Sequence, residues 1–408
     1  ETAQKVHNLR PDIVGITAVT PSYHIAKELA GAVKALDCVP VAVGGPHITI
    51  LKEKAFDPIF DYAFVGEAER SWPLFLYYYR DKADFTSIKG ILFRRNGQVQ
   101  FTGMPPMVDV NYIPFPARHL LKMDQYRIGT LQGLKKFSLI SASRGCPFSC
   151  TFCAAGILGK TVRWRLAESV VDEMASVVQE FNIRHFQFAD DNLTLNRSYI
   201  WRLCDLVKGL RITFEGCTRA NLLDEELVRH MADCGLTRLY IGLESVDPVV
   251  RKLAGKDDVS LTSHWIANRL CKKYHVEVVN HIMLGLPGET RATAQATIDY
   301  VRKDRDIHDI TLSIATPYPG TELLEMARRG EHGLRLVTED YSQYYRYGSA
   351  VMGVNDLSPQ DLVRLQNDGF AKIYLAPWRW RTLYKKTGLL GVLLTLVRLV
   401  RYWKRKVL

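Results

Sequence analysis

Short apolar runs alternate with longer amphipathic stretches along most of this chain. IVGITAV (13–19), VAVGG (41–45) and YAFVG (62–66) are continuous enough to be strands buried on both faces. Helical periodicity lies between and after them, over 22–36, near Ile50 and over 69–80. Buried strands alternating with helices predict an α/β domain built on a parallel, doubly wound, Rossmann-like sheet. GILFRR and QVQFTG flank Asn96-Gly97, a dipeptide suited to a tight left-handed turn, and predict an edge hairpin that closes the domain near residue 103. Residues 104–135 are proline-rich and aperiodic, and read as a linker.

The alternation becomes more regular over 136–330. Six apolar runs, at 137–143, 185–190, 213–218, 238–244, 276–286 and 310–317, are each followed by a helical pattern, the sixth starting at Thr321. Six βα units in this length predict a partial (β/α)6 barrel, with an open Rossmann-type sheet as the alternative. Residues 331–408 form a helical C-terminal region with an aromatic cluster at 341–348, a helix over 358–374 and a basic amphipathic tail. The chain starts at Glu1 and only three βα units precede the hairpin, so one or two upstream units of the first domain are expected outside it.

Composition narrows the class. The chain is 47% apolar and 24% charged over 408 residues, enough for two or three globular domains. Its net charge of +11 is concentrated: residues 377–408 hold nine Lys or Arg and no acid, leaving 45 basic against 43 acidic side chains elsewhere. A basic tail suits a surface, whereas nucleic-acid binding calls for a basic face on the folded body, so no nucleic-acid partner is expected. No signal peptide or membrane-spanning run is visible, and the unpaired cysteines suit a reducing cytoplasm.

The chemistry is carried by SASRGCPFSCTFCAAG (141–156), where Cys146, Cys150 and Cys153 follow the first barrel strand at C-x3-C-x2-C spacing. Loops beyond the carboxyl ends of barrel strands are where reactive groups collect. Three thiolates are one short of a closed zinc site. They suit a [4Fe–4S] cluster with one open iron. Zinc and unliganded buried cysteines are the remaining readings. The other five cysteines form no second triplet and read as small buried hydrophobes.

This spacing, in a six-fold βα pattern with Phe152 before the last cysteine, resembles the radical S-adenosylmethionine (SAM) superfamily. The resemblance implies that the open iron chelates SAM, and that electron transfer cleaves it to a 5′-deoxyadenosyl radical. It further implies that polar strand ends bind SAM. Asp190 and Asp191 end the second strand near the ammonium, Arg219 ends the third near the carboxylate, and Glu244 and Ser245 end the fourth near the ribose. The backbone of Ile282, Met283 and Leu284 in HIMLGLPGET would meet the adenine. Helix capping is the alternative role for Asp191 and Ser245.

Residues 10–80 resemble the cobalamin-binding domain that precedes the barrel in one subclass, the group that includes anaerobic magnesium-protoporphyrin IX monomethyl ester cyclase and radical SAM carbon methyltransferases. Gly44 and Gly45 would let a flat ligand approach the backbone, Thr17, Thr20 and Ser22 offer hydroxyls, and Gly66 and Glu67 end the next strand. The family's D-x-H-x-x-G motif is missing and His47 lacks its setting.

The resemblance implies methyl transfer to an unactivated carbon of a small, apolar substrate, or oxidative cyclisation. It also implies an electron donor such as flavodoxin or ferredoxin. Tyr318 is a candidate substrate contact. Leucines and valines from Leu389 to Val400, followed by a basic cluster with Trp403, suit peripheral membrane contact. A non-enzymatic iron–sulfur or membrane scaffold, and a radical SAM enzyme with a vestigial first domain, are the alternatives.

Overall fold

The computed structural model describes residues 1–130 and 133–407. The first unit is a five-stranded sheet whose strands lie in chain order. Val14–Thr17, Val41–Gly44 and Tyr62–Phe64 run parallel, and Ile91–Arg95 and Gln98–Phe101 add antiparallel at one edge. Val41 and Val43 pack with Ala26, Ala30 and Val33 of the Tyr23–Leu36 helix, while Ala42 packs with Phe64 and Phe75 on the other face. The two-residue period of a strand thus feeds two cores, as a doubly wound sheet requires. Asn96 and Gly97 both take positive φ (54° and 78°) in the hairpin turn.

The second unit is a six-stranded all-parallel sheet. Its strands are Ser138–Ile140, His185–Phe188, Thr213–Thr218, Leu236–Glu244, Glu277–Leu284 and Asp309–Ile314. Their order follows the chain without reversal, so there is no topological switch point and the partial barrel stands over the open-sheet alternative. The sixth helix, Glu322–Arg329, is capped by Thr321, whose hydroxyl accepts the Leu324 N–H.

The segment 104–135 is not a loose connector. It makes three short 3-10 turns and ends in a hairpin, Arg127–Thr130 with Gly133–Lys136, that the aperiodic sequence did not announce. Arg118, buried, donates to Glu173 Oε1 at 2.6 Å and to the Leu139 carbonyl at 2.7 Å. Arg165 donates to the other Glu173 oxygen at 2.6 Å. The segment is held by charge and hydrogen bonds, and this is why it carries no hydrophobic period.

The C-terminal region contains the Pro359–Tyr374 helix, capped by Ser358, and a second helical segment, Pro377–Val407, broken at Gly388 (φ 67°, ψ −174°). Arg379 is buried and donates to the Val301 carbonyl at 2.9 Å, which anchors the start of that segment to the barrel. Beyond Gly388, Leu389, Leu390, Leu393, Leu394 and Val397 are exposed. The side chains of Leu396, Leu399, Val400 and the cluster with Trp403 lie outside the described residues. Among the described residues, no helix is long and apolar enough to cross a membrane.

Candidate active site

The cysteine loop is tied to the carboxyl-terminal face of the barrel from two sides. The Thr151 N–H donates to the Ala254 carbonyl at 3.1 Å, and the Leu323 N–H donates to the Thr151 carbonyl at 2.8 Å. Gly255 (φ 69°) lies so close beneath the loop that a Cβ there would sit 2.5 Å from the Ser149 carbonyl oxygen. Within the loop, the Cys153 N–H donates to the Cys150 carbonyl at 3.0 Å and the Ala155 N–H points at Cys153 Sγ, 3.4 Å away. Burial pushes the Cys146 and Cys153 thiols up; Asp191 and Cys150 push in the same direction on both, and Cys146 on Cys153.

A tetrahedral zinc ion would hold sulfurs about 3.8 Å apart. Among the described residues, the Cys146, Cys150 and Cys153 sulfurs are not gathered within 4.8 Å of one another. Three thiolate donors are the set that holds an iron–sulfur cube while leaving one iron open.

Arg219 lies beside this loop. Its guanidinium stacks on the Phe148 ring at 3.8 Å, Nη1 is 3.5 Å from Cys150 Sγ, and Nη2 is paired with Asp258. Its Nε is buried without a partner. The third-strand end therefore puts a donor fork at the cysteines, with Phe148 as its platform. Nothing in the sequence singled out that phenylalanine.

The two aspartates at the end of the second strand separate. Asp190 is buried, accepts the Ala142 N–H at 3.0 Å and the Ser143 hydroxyl at 2.5 Å, and so fixes the entry to the cysteine loop. Burial raises its pKa to about 6 against those hydrogen bonds. Asp191 instead faces the cavity between the two domains.

Glu244 and Ser245 do not form the open pair that a ribose contact implied. Glu244 takes φ 59°, a strained value for a non-glycine residue, and pairs with Lys256 at 2.8 Å, inside a register shift of the strand. Ser245 is fully buried, its hydroxyl accepting the Asp247 N–H at 3.2 Å and touching Thr297. This is a helix-entry role, and it leaves the Ser245 hydroxyl no open side. Of Ile282, Met283 and Leu284, only Met283 keeps exposed surface. The Ile282 carbonyl accepts from Ser313 and the Leu284 carbonyl from the Ala315 N–H. Phe152 is half-buried against the core of the fifth and sixth strands.

The HIMLGLPGET turn closes on a fully buried acid. Glu289 Oε2 accepts the Gly285 N–H at 2.5 Å, and burial raises its pKa to about 8. Its proton is therefore bound more tightly in the folded state, so stability falls as pH rises from about 4.5 towards 8 and levels off above. Glu289→Gln is expected to flatten that slope. Thermal midpoints of the two proteins should converge at pH 5 and diverge in the variant's favour by pH 8.

Between the domains lies a cavity of about 570 Å3. Gly45, Pro46, Gly66 and Glu67 line one side, and Ser143, Gly145, Ala154, Gly159 and Asp191 the other, so much of both walls is backbone or small side chain. Gly44 ends the second strand, and Gly45 turns there at φ 99°. Thr17 is exposed beside it and Ser22 is half-buried, its hydroxyl donating to the Val19 carbonyl. Thr20 is turned inward: its hydroxyl contacts His47 Nδ1 at 3.2 Å, and His47 is buried against Tyr23. Burial holds His47 near a pKa of about 4, and the ring is spent inside the domain.

Glu67 joins the two domains. Burial alone would raise its pKa. Arg163, which donates to both its oxygens at 2.6 and 2.7 Å, together with the Val108 N–H and Arg144, holds it at about 2 instead. A second cavity of about 500 Å3 shares Pro46, Ile50 and Ala154 with the first and is walled by Tyr318, Tyr344, Tyr345 and Tyr347, with Arg346 the one cation. The Tyr318 hydroxyl donates to the Tyr344 carbonyl at 3.1 Å, and Tyr344 is itself fully buried.

Comparison with known proteins places two families on the chain. A family model for the radical SAM superfamily matches residues 140–301, and one for the B12 binding domain matches residues 1–75. The chain is 30% identical over 384 residues to an uncharacterized methyltransferase of Pyrococcus horikoshii, covering 92% of this chain and 82% of that one. It is 27% identical to the anaerobic magnesium-protoporphyrin IX monomethyl ester cyclase of Cereibacter sphaeroides, covering 96% of this chain and 65% of the cyclase. Its fold is similar to that of TsrM, a radical SAM methyltransferase of Kitasatospora setae solved with cobalamin and a [4Fe-4S] cluster. There the TM-score is 0.71 at 16% identity, covering 92% of this chain and 80% of that one.

Proposed function

The chain belongs to the cobalamin-dependent radical SAM methyltransferase family, and from that premise we propose that it transfers a methyl group to an unactivated carbon of a small, apolar substrate. The observation that carries this reading is the junction of the two cavities. The glycine-edged joint between the domains and the tyrosine-walled pocket share Pro46, Ile50 and Ala154, and Ala154 belongs to the cysteine loop. A substrate carbon in the aromatic pocket lies next to both cofactor regions.

With its cluster, SAM and cobalamin bound, such a protein gains a carbon-centred radical source and a methyl carrier. The protein's own residues do the rest. Cys146, Cys150 and Cys153 hold the cluster. Arg219 presents its fork beside Cys150, suited to the SAM carboxylate, and Asp191 offers an acceptor to the ammonium across the cavity. Met283, which keeps some exposed surface at the end of the fifth strand, would face the adenosine side. Gly44, Gly45, Gly66 and the Thr17 hydroxyl receive the corrin. Tyr318, Tyr344 and Tyr345 exclude water from the substrate. An electron donor such as flavodoxin or ferredoxin would serve the cluster region, and the exposed leucines past Gly388 offer an apolar face suited to a membrane surface.

The test uses anaerobically reconstituted protein with SAM labelled in the methyl group and an extract of candidate apolar metabolites. Label in a new carbon-bound methyl is the expected result. A product two hydrogens lighter and unlabelled would favour the oxidative reading instead. Gly45→Val is expected to lower cobalamin affinity by at least about tenfold, ~1.4 kcal/mol, because its Cβ would meet the Ala18 carbonyl oxygen at 2.6 Å. Production of 5′-deoxyadenosine by the barrel should persist. Equilibrium dialysis with hydroxocobalamin and chromatographic assay of 5′-deoxyadenosine read the two effects separately.

A further inference from the structure

Away from the cysteine loop, the barrel carries a second cluster of metal-ligating side chains. Cys204 lies on the Arg197–Val207 helix, His230 on the Glu225–Asp233 helix, and Cys234 caps the latter. One donor atom from each lies within 4.8 Å of the other two, the one such group of three among the described residues. Both helices lead into the amino-terminal ends of barrel strands, so the cluster sits at the end of the barrel opposite the cysteine loop.

We propose that Cys204, His230 and Cys234 bind one zinc ion as a staple between these two helices, with the exposed Asp205 carboxylate beside His230 turning in as the fourth ligand. Zinc–sulfur bonds near 2.3 Å and zinc–nitrogen or –oxygen bonds near 2.0 Å place S and N about 3.5 Å apart, and N and O about 3.3 Å apart. Cys234 Sγ lies 4.0 Å from His230 Nε2, and Asp205 Oδ1 lies 3.4 Å from it. Around His230 the metal-free spacing is therefore within about half an ångström of the liganded one, and Cys204 lies within 4.8 Å. The His230 ring is held by parallel stacking on Trp201 at 3.9 Å and 4°, which orients a ligand as outer partners of a metal site do. Both cysteines are buried and His230 is mostly so, which suits a closed, structural site. Sequence spacing alone hid the group, because its members come from two helices 26 residues apart. As small hydrophobes, two cysteines would need no imidazole aimed at them. Binding releases the two thiol protons and changes no oxidation state.

The test uses full-length protein with its cluster reconstituted, dialysed against a chelator and then offered Zn2+ alone. One zinc per chain beside the iron, with two sulfur scatterers in the zinc X-ray absorption spectrum, is expected. The Cys146→Ala, Cys150→Ala, Cys153→Ala protein should still hold that zinc, which separates this site from the cluster loop. Cys204→Ala with Cys234→Ala should lose it. His230→Gln, at a partly exposed position, should weaken it at least tenfold in chelator competition while keeping the native circular dichroism. Zinc retained undiminished by these last two variants would overturn the proposal. So would wild-type protein that takes up no zinc, or whose Cys204 and Cys234 are joined in a disulfide.

Discussion

Cys150→Ala is expected to abolish SAM cleavage, lowering 5′-deoxyadenosine formation by about three orders of magnitude or more, ~4 kcal/mol of barrier. Cys150 is the middle cysteine of the trio proposed to hold the cluster, and it is the one that Arg219 approaches. Without it two thiolates remain, too few to hold a cube whose fourth iron must stay open. The loop itself should persist. Its attachments run through the Thr151 backbone, Ala254, Gly255 and Leu323, not through the sulfur. The variant should therefore fold, keep its far-ultraviolet circular dichroism and still bind cobalamin, while iron analysis falls well below four per chain. Retained iron with normal turnover would remove the cysteines from the chemistry.

The largest effect on stability is expected from Arg238→Met. Arg238 is buried at the amino-terminal end of the barrel. It donates to Glu277 Oε2 and Glu215 Oε2 at 2.9 Å, to the Tyr240 hydroxyl at 3.1 Å and to the Gly129 carbonyl at 2.5 Å. Glu215 and Glu277 are buried as well, with His185 3.5 Å from Glu215. Methionine fills much of the space but leaves two carboxylates facing each other without their cation. Breaking such a network costs about 3–5 kcal/mol. At about 2–4 °C per kcal/mol for a unit of this size, the barrel should melt roughly 10 °C lower. Glu215→Gln with Glu277→Gln should recover much of the deficit. A midpoint unchanged in differential scanning calorimetry would mean that the network contributes nothing net.

The bond to Gly129 also ties the barrel floor to the segment that reads as a linker. Together with Arg118 on Glu173 and Arg163 on Glu67, it shows how the first domain, the linker and the barrel are joined: by arginine donors bonded to acceptors far away in the chain. These pairs span 55 to 109 residues, and no local pattern announces them.

By itself, the sequence determined what depends on local periodicity and fixed spacing. Strand and helix order, the Asn96-Gly97 hairpin, the Thr321 and Ser358 caps and the cysteine triplet all follow from residues within one or two turns of each other. Their physics, burial period, backbone freedom and ligand spacing, is local. The tertiary structure decided which polar strand ends remain open. Asp191 faces the cavity while Asp190 is consumed by Ala142 and Ser143. Ser245 is sealed under Thr297, and Thr20 turns to His47. It also decided that Cys204 meets His230 and Cys234, and that Phe148 carries Arg219. A side chain's partner is whatever the fold brings within about 3 Å of it, and neighbours along the chain say little about neighbours in space.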